Sequence, residues 1–126
     1  MFFLNNKKVK KEESVSLEVE DTKQFYQEIE ILKMNMSTVK GRDRIDCLNN
    51  LGELYKKTKD IEKSIYYYEL SLQEEPVLGK ACTDLMSLYN IKRREAAVEK
   101  NDEKIQFYLN KIDDLMKTSK MLMRQV

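Results

Sequence analysis

Acid–base or metal chemistry in this chain would have to proceed without histidine, because the sequence contains none. That removes the commonest general base, pH switch and metal ligand together. The two cysteines, Cys47 and Cys82, stand 35 residues apart inside apolar helical patterns. A zinc knuckle or a disulfide framework needs closer or more numerous ligands. Both read as buried thiols of a reducing compartment. There is no glycine-rich phosphate loop and no nucleophile beside a base, and the carboxylates fall on charged helix surfaces. No catalytic residue, metal or cofactor is therefore expected.

Three stretches could bind rather than react. "SIYYY", Ser64 to Tyr68, sets three phenols side by side, either as a stacking platform or as one turn of a helix. The run "IKRREAAVEK" concentrates Lys92, Arg93, Arg94 and Lys100, with Glu95 and Glu99 at helical spacing to pair with them. It reads as a solvated face, or more sharply as a contact for an acidic partner or nucleic acid. The tail "MKTSKMLMRQV" places Met116, Met121, Leu122 and Met123 together. It forms either the outer edge of a capping helix or a methionine-rich contact surface.

The elements that must position these groups follow from composition and periodicity. The 126 residues suit one domain, and 36% charged with 41% apolar residues, three glycines and one proline suit surface-charged helices. The 23 basic and 22 acidic side chains leave a formal charge of +1. Such balance argues against the broad basic footprint of a nucleic-acid binder. "MFFL" is too short for a signal-peptide core, and no stretch reaches the roughly 20 apolar residues of a membrane span. A soluble cytoplasmic protein is expected. Residues 1–20 carry "KKVKKEES" and then the alternating "SVSLEVE", without helical periodicity. They read as a flexible or loosely docked arm, or as an extended segment packed on the helices or on a second copy.

Five helices are predicted beyond the arm. Asp21 and Gln24 have the form of a capping box. Phe25, Ile29, Leu32 and Met36 then recur at helical spacing over about 22–38, with Gly41 as the stop and "GRDR" as a polar connection. A second helix over 42–57 buries Ile45, Leu48, Leu51, Leu54 and Tyr55, with Gly52 on the same face. Asp60 caps a third helix over 61–74, which buries Ile61, Ser64, Ile65, Tyr68, Ser71 and Leu72. At about 100° per residue, Tyr66 lies outside and Tyr67 at the margin. Pro76 ends this helix and can open a fourth near Val77, which carries Ala81, Cys82, Leu85, Met86, Leu88 and Tyr89. Asn101 or Asp102 caps a fifth, with Ile105, Tyr108, Leu109, Ile112, Leu115 and Met116 facing inward. Short connections make neighbouring helices antiparallel.

An internal repeat emerges from this pattern. "LNNLGELY" at 48–55, "SIYYY" from Ser64 and then Pro76 resemble the tetratricopeptide repeat, W-x2-L-G-x2-Y, A-x3-F, P. Leu48 stands for the tryptophan, and Leu51, Gly52 and Tyr55 match. Ser64 takes the small-residue place, Tyr68 the aromatic one, and Pro76 closes the repeat. Gly52 opposite Ser64 would let the two helices approach closely. One repeat length on, Cys82, Leu85, Met86 and Tyr89 fall in register with Leu48, Leu51, Gly52 and Tyr55. The second-helix pattern then resumes at Ile105, Leu109 and Ile112, seven residues late, as in a hairpin lengthened by about two turns.

The resemblance implies an all-α, right-handed superhelix of about five helices within a single domain, 21–126. It divides into an N-terminal capping helix (22–41), a repeat (45–78), an elongated divergent repeat (79–112) and the end of a C-terminal capping helix (113–126).

The resemblance also implies a groove for a peptide or helix of another protein, lined by the first helix of each hairpin. Asp46, Asn49, Asn50, Glu53 and Lys57 occupy that face in one hairpin, and Lys80, Thr83, Asp84 and Ser87 in the next. Asparagines and lysines suit the grip of backbone amides and carboxylates; ordinary solvated surface is the competing reading. A clamp for a C-terminal carboxylate, found in some members, is not expected, because Asp84 stands where an arginine would be needed. The implied function is a non-catalytic adaptor. The alternatives are a self-assembling structural protein, including a homodimer, and a peptide-sensing regulatory domain.

Overall fold

The structure, a computed structural model, describes residues 20–125 of the chain, and the described part is all-helical. Five helices follow one another: α1 over 20–35, α2 Gly41–Lys57, α3 Ile61–Glu74, α4 Lys80–Val98 and α5 Asp102–Arg124. The arm assigned to 1–20 lies outside the described residues except for residue 20, which is already helical. Asp21 is therefore inside α1 and does not cap it. Gly41 also differs from expectation. α1 ends at residue 35 in a turn, and Gly41, at φ +59°, opens α2 with "GRDR" as its first turn.

The two hairpin turns are built alike. After α2, Lys59 adopts φ 65°, its N–H bonds the Lys56 carbonyl at 3.0 Å, and the Asp60 N–H reaches the Tyr55 carbonyl at 2.9 Å. After α4, Lys100 adopts φ 56°, with Lys100 N–H on Ala97 at 3.1 Å and Asn101 N–H on Ala96 at 2.9 Å. This pair of bonds closes a helix through a left-handed residue, usually glycine. The next residue then caps the following helix. Asp60 accepts from the Lys63 N–H at 3.2 Å, and Asn101 from the Lys104 N–H at 3.1 Å.

Contacts across the hairpins show antiparallel neighbours. The guanidinium of Arg44 meets the Glu74 carboxylate at 2.8–3.0 Å, and Arg42 meets Glu75 at 3.0 Å, both at the open end of α2–α3. Midway, Ser64 Oγ donates to the Gly52 carbonyl at 2.6 Å. A Cβ on Gly52 would lie 2.9 Å from three carbons of the Tyr68 ring, so only glycine admits this approach without displacing the ring. α2 and α4 run side by side in the same sense, joined by Lys56–Asp84 and Lys80–Glu53 ion pairs at 3.4 Å.

Two apolar clusters form the core. One joins Ile29 of α1 to Cys47, Leu51, Leu54 and Tyr55 of α2, with Phe25, Leu32 and Tyr67 against it. The other joins Ile65 and Tyr68 to Cys82, Leu85, Leu88, Tyr89, Leu115 and Leu122. Both cysteines are buried and free; burial pushes the Cys47 thiol pKa up.

Two apolar expectations fail. α4 begins at Lys80, with Gly79 before it, leaving Val77 and Leu78 half-exposed in the connection. A proline tolerates the first helical turn but does not compel one. In α5, Leu109 and Met116 are 42% and 46% exposed, while Leu115 and Leu122 are buried. On the helical wheel Leu109 and Met116 lie about 120° and 100° from Leu115, outside the arc that α3 and α4 cover.

Candidate functional site

The side chains of the predicted groove are drawn partly into a network inside the chain. Asp84 is the hub. It accepts from the Tyr68 hydroxyl at 2.5 Å and pairs with Lys56 at 3.4 Å and Lys80 at 3.8 Å. Lys80 also pairs with Glu53 at 3.4 Å, and Glu53 with Lys57 at 3.7 Å. Tyr68 is fully buried. Burial, then its bond to Asp84, holds the phenol pKa far above the ordinary value of 10.0. The acid at position 84 is thus explained within the fold: it satisfies a buried hydroxyl and two ammonium groups.

Asn50, Glu53 and Lys57 line a cleft of about 390 Å³ with Leu54 of α2 and with Glu28, Ile31 and Leu32 of α1. Ile31 is 59% exposed there, an apolar side chain offered to solvent beside Leu32 and Leu54. Lys57 reaches over the Phe25 ring at 5.4 Å, which ties the cleft's rim to α1. Lys33, on α1, has its ammonium pKa raised chiefly by a hydrogen bond with Tyr55.

The other predicted groove residues stand apart from this cleft. Asp46 pairs with Arg42 one turn earlier at 3.4 Å. Asn49 is half-buried, and its Oδ1 has no hydrogen-bond partner in the chain. Thr83 is exposed and donates to the Gly79 carbonyl at 3.2 Å, and Ser87 is exposed. The structure therefore joins Asn50, Glu53 and Lys57 to α1, and joins Lys80 and Asp84 to Glu53 through ion pairs. Glu28 and Ile31 were not foreseen as lining residues, because the groove was assigned to the first helices of the hairpins alone. An exposed isoleucine beside the predicted Leu32 was the available signal.

A second cleft, about 280 Å³, lies between α3, α4 and α5. Its polar groups are also engaged: Lys111 pairs with Glu69 at 3.3 Å, and burial followed by Glu69 raises the Tyr89 pKa. The basic run of α4 is partly neutralised, with Lys92 between Glu95 at 3.2 Å and Glu62 at 3.4 Å. Of the three adjacent tyrosines, Tyr68 is buried, Tyr67 stacks on Tyr55 at 5.5 Å, and Tyr66 is 59% exposed.

Among the described residues, no group of three or more His, Cys, Asp or Glu side chains could hold a metal ion. No described helix is long and apolar enough to cross a membrane. Compared with family models, with curated proteins and with solved structures, the chain matches none.

Proposed function

We propose that this chain is a non-catalytic interaction module of the tetratricopeptide type, which takes a peptide or helix of another protein against α1, α2 and α4. The observation that carries the reading is the α1–α2 cleft. It combines an apolar wall, exposed Ile31 beside half-buried Leu32 and buried Leu54, with an amide and charges of both signs at Asn50, Glu28, Glu53 and Lys57. Apolar walls give such a site affinity, and a few placed polar groups give it orientation. The pairing of Lys80 and Asp84 within the chain leaves Asn50 as the predicted groove residue best placed to bond a ligand's backbone.

The fitting occupant carries an apolar side chain for the wall next to a polar or basic group for Glu28 and Glu53. A displayed random-peptide library selected on the protein, followed by titration calorimetry, tests this. Ile31→Asp and Asn50→Ala are each expected to weaken selected peptides by about tenfold or more, equivalent to roughly 1.4 kcal/mol. Tyr66→Ala, on an exposed part of α3, is expected to leave them unchanged. Binding that survives both cleft substitutions would remove the assignment.

A further inference from the structure

The outer side of α5 repeats a pattern that the rest of the fold covers. On α3, Ile61, Ile65, Tyr68 and Leu72 recur at intervals of 4, 3 and 4 residues and pack against α4 and α5. On α5, Ile105, Leu109, Ile112 and Met116 recur at the same intervals, and Ser119 and Met123 extend the series by 3 and 4. Leu109, Met116 and Met123 are 42%, 46% and 58% exposed, while Ile105, Ile112 and Ser119 are half-buried at the inner margin. No described helix follows α5 to cover them. Alternation of 4 and 3 over 18 residues is a heptad seam about 27 Å long, the form that receives another helix by knobs-into-holes packing.

Charge distribution selects the occupant. The first turn of α5 carries Asp102 and Glu103, and its end carries Lys120 and Arg124. Among the described residues, none of these four has an ion-pair partner in the chain. A second α5 laid antiparallel brings the acidic end of each copy to the basic end of the other, whereas a parallel one sets like on like. The antiparallel register centred near residue 114 places Ile105 opposite Met123, Leu109 opposite Ser119, and Ile112 opposite Met116. Each layer then combines a seam residue with a different one of the partner, as a two-fold interface requires.

We propose that the α5 seam docks on a second copy of this chain as an antiparallel, two-fold helix pair. This surface is separate from the α1–α2 cleft, so the two readings fail independently.

Sedimentation equilibrium of the full chain over a dilution series tests the pairing. The wild type is expected to dimerise. Leu109→Glu with Met116→Glu is expected to give monomer with unchanged helical circular dichroism. Lys120→Glu with Arg124→Glu, at exposed positions where folding is not at risk, is expected to weaken the dimer, and adding Asp102→Lys with Glu103→Lys is expected to restore it. Direction is read by disulfide trapping: a Leu109→Cys chain should cross-link to a Ser119→Cys chain and not to itself. A full-length chain that stays monomeric at every concentration overturns the proposal. So does a dimer indifferent to both sets of substitutions, or cross-linking of each cysteine variant only with itself.

Discussion

Replacing Gly52 by alanine sets two known effects against each other, and the structure decides which wins. In the middle of a helix the change favours folding by about 1 kcal/mol through backbone entropy. Here, however, the new methyl would lie 2.9 Å from three carbons of the Tyr68 ring. The ring cannot swing aside freely. It is fully buried, and its hydroxyl is held by Asp84, which is itself fixed by Lys56 and Lys80. Overpacking of this kind costs about 1–3 kcal/mol, and displacing the phenol also weakens a hydrogen bond to a charged group worth about 1.5–3 kcal/mol. The net expectation for Gly52→Ala is a loss of about 1–2 kcal/mol. At about 4–8 °C per kcal/mol for a domain near this size, the fall in Tm is easily measured. Urea and thermal unfolding followed by circular dichroism provide the assay. The diagnostic step is repetition in a Tyr68→Leu background, where the ring is gone and the propensity term acts alone. There Gly52→Ala should stabilise, by up to about 1 kcal/mol. A wild-type background that tolerates alanine, or an equal loss in both backgrounds, would refute the close approach as the reason for glycine.

Three further outcomes follow from the same geometry. Tyr66→Ala should cost under about 0.5 kcal/mol and Tyr68→Ala about 3–5, because one ring is 59% exposed and the other fully buried; equal losses in denaturant titration would contradict the helix register. The Tyr68 pKa is raised by burial, so above pH 10 the unfolded chain loses a proton that the folded chain keeps, and stability falls as pH rises. Tyr68→Phe should therefore flatten the alkaline decline of unfolding free energy by about 1.4 kcal/mol per pH unit, and an unchanged slope would show that the phenol ionises without unfolding. Lys59→Gly and Lys100→Gly should each stabilise by about 0.5–1 kcal/mol, because both lysines hold φ near +60° where glycine is at ease; a lower Tm for either would count against the shared turn.

Much of the helical framework was legible because its signals are local. α3 runs Ile61–Glu74 as expected, since Asp60 supplies a side-chain cap at one end and Pro76 forbids continuation just past the other. The pairing of Gly52 with Ser64 was legible too, because a small residue on each helix has few reasons other than close approach. The start of α4 was not, since Pro76 is compatible with both a first turn and an extended connection. α5 misled for a different reason. Its apolar residues span two faces, one for α3 and α4 and one left open, and periodicity alone assigns both to a single core. The cleft was half legible: Asn50, Glu53 and Lys57 come from the expected face, but Glu28 and Ile31 belong to a helix whose partner only the packing reveals.

The two hairpins share a turn but not a length, and that difference explains where apolar surface is left over. α3 has 14 residues and α5 has 23, so α5 is longer by nine residues, about 13 Å of helix. The matching turns fix the start of each second helix at the same relation to its first. The extra length therefore accumulates at the far end, where Met116 and Met123 continue the outer face that Leu109 begins and Met121 is also exposed. Leu122 finds the core there, whereas its methionine neighbours do not. Exposed apolar side chains at the end of a stacked array are normally relieved by a polar capping helix or by another chain. α5 carries the seam of an internal helix and is the last described helix. A seam of that period, with acid at one end and base at the other, matches its own reversed copy, and on that match the proposed antiparallel α5 pairing rests.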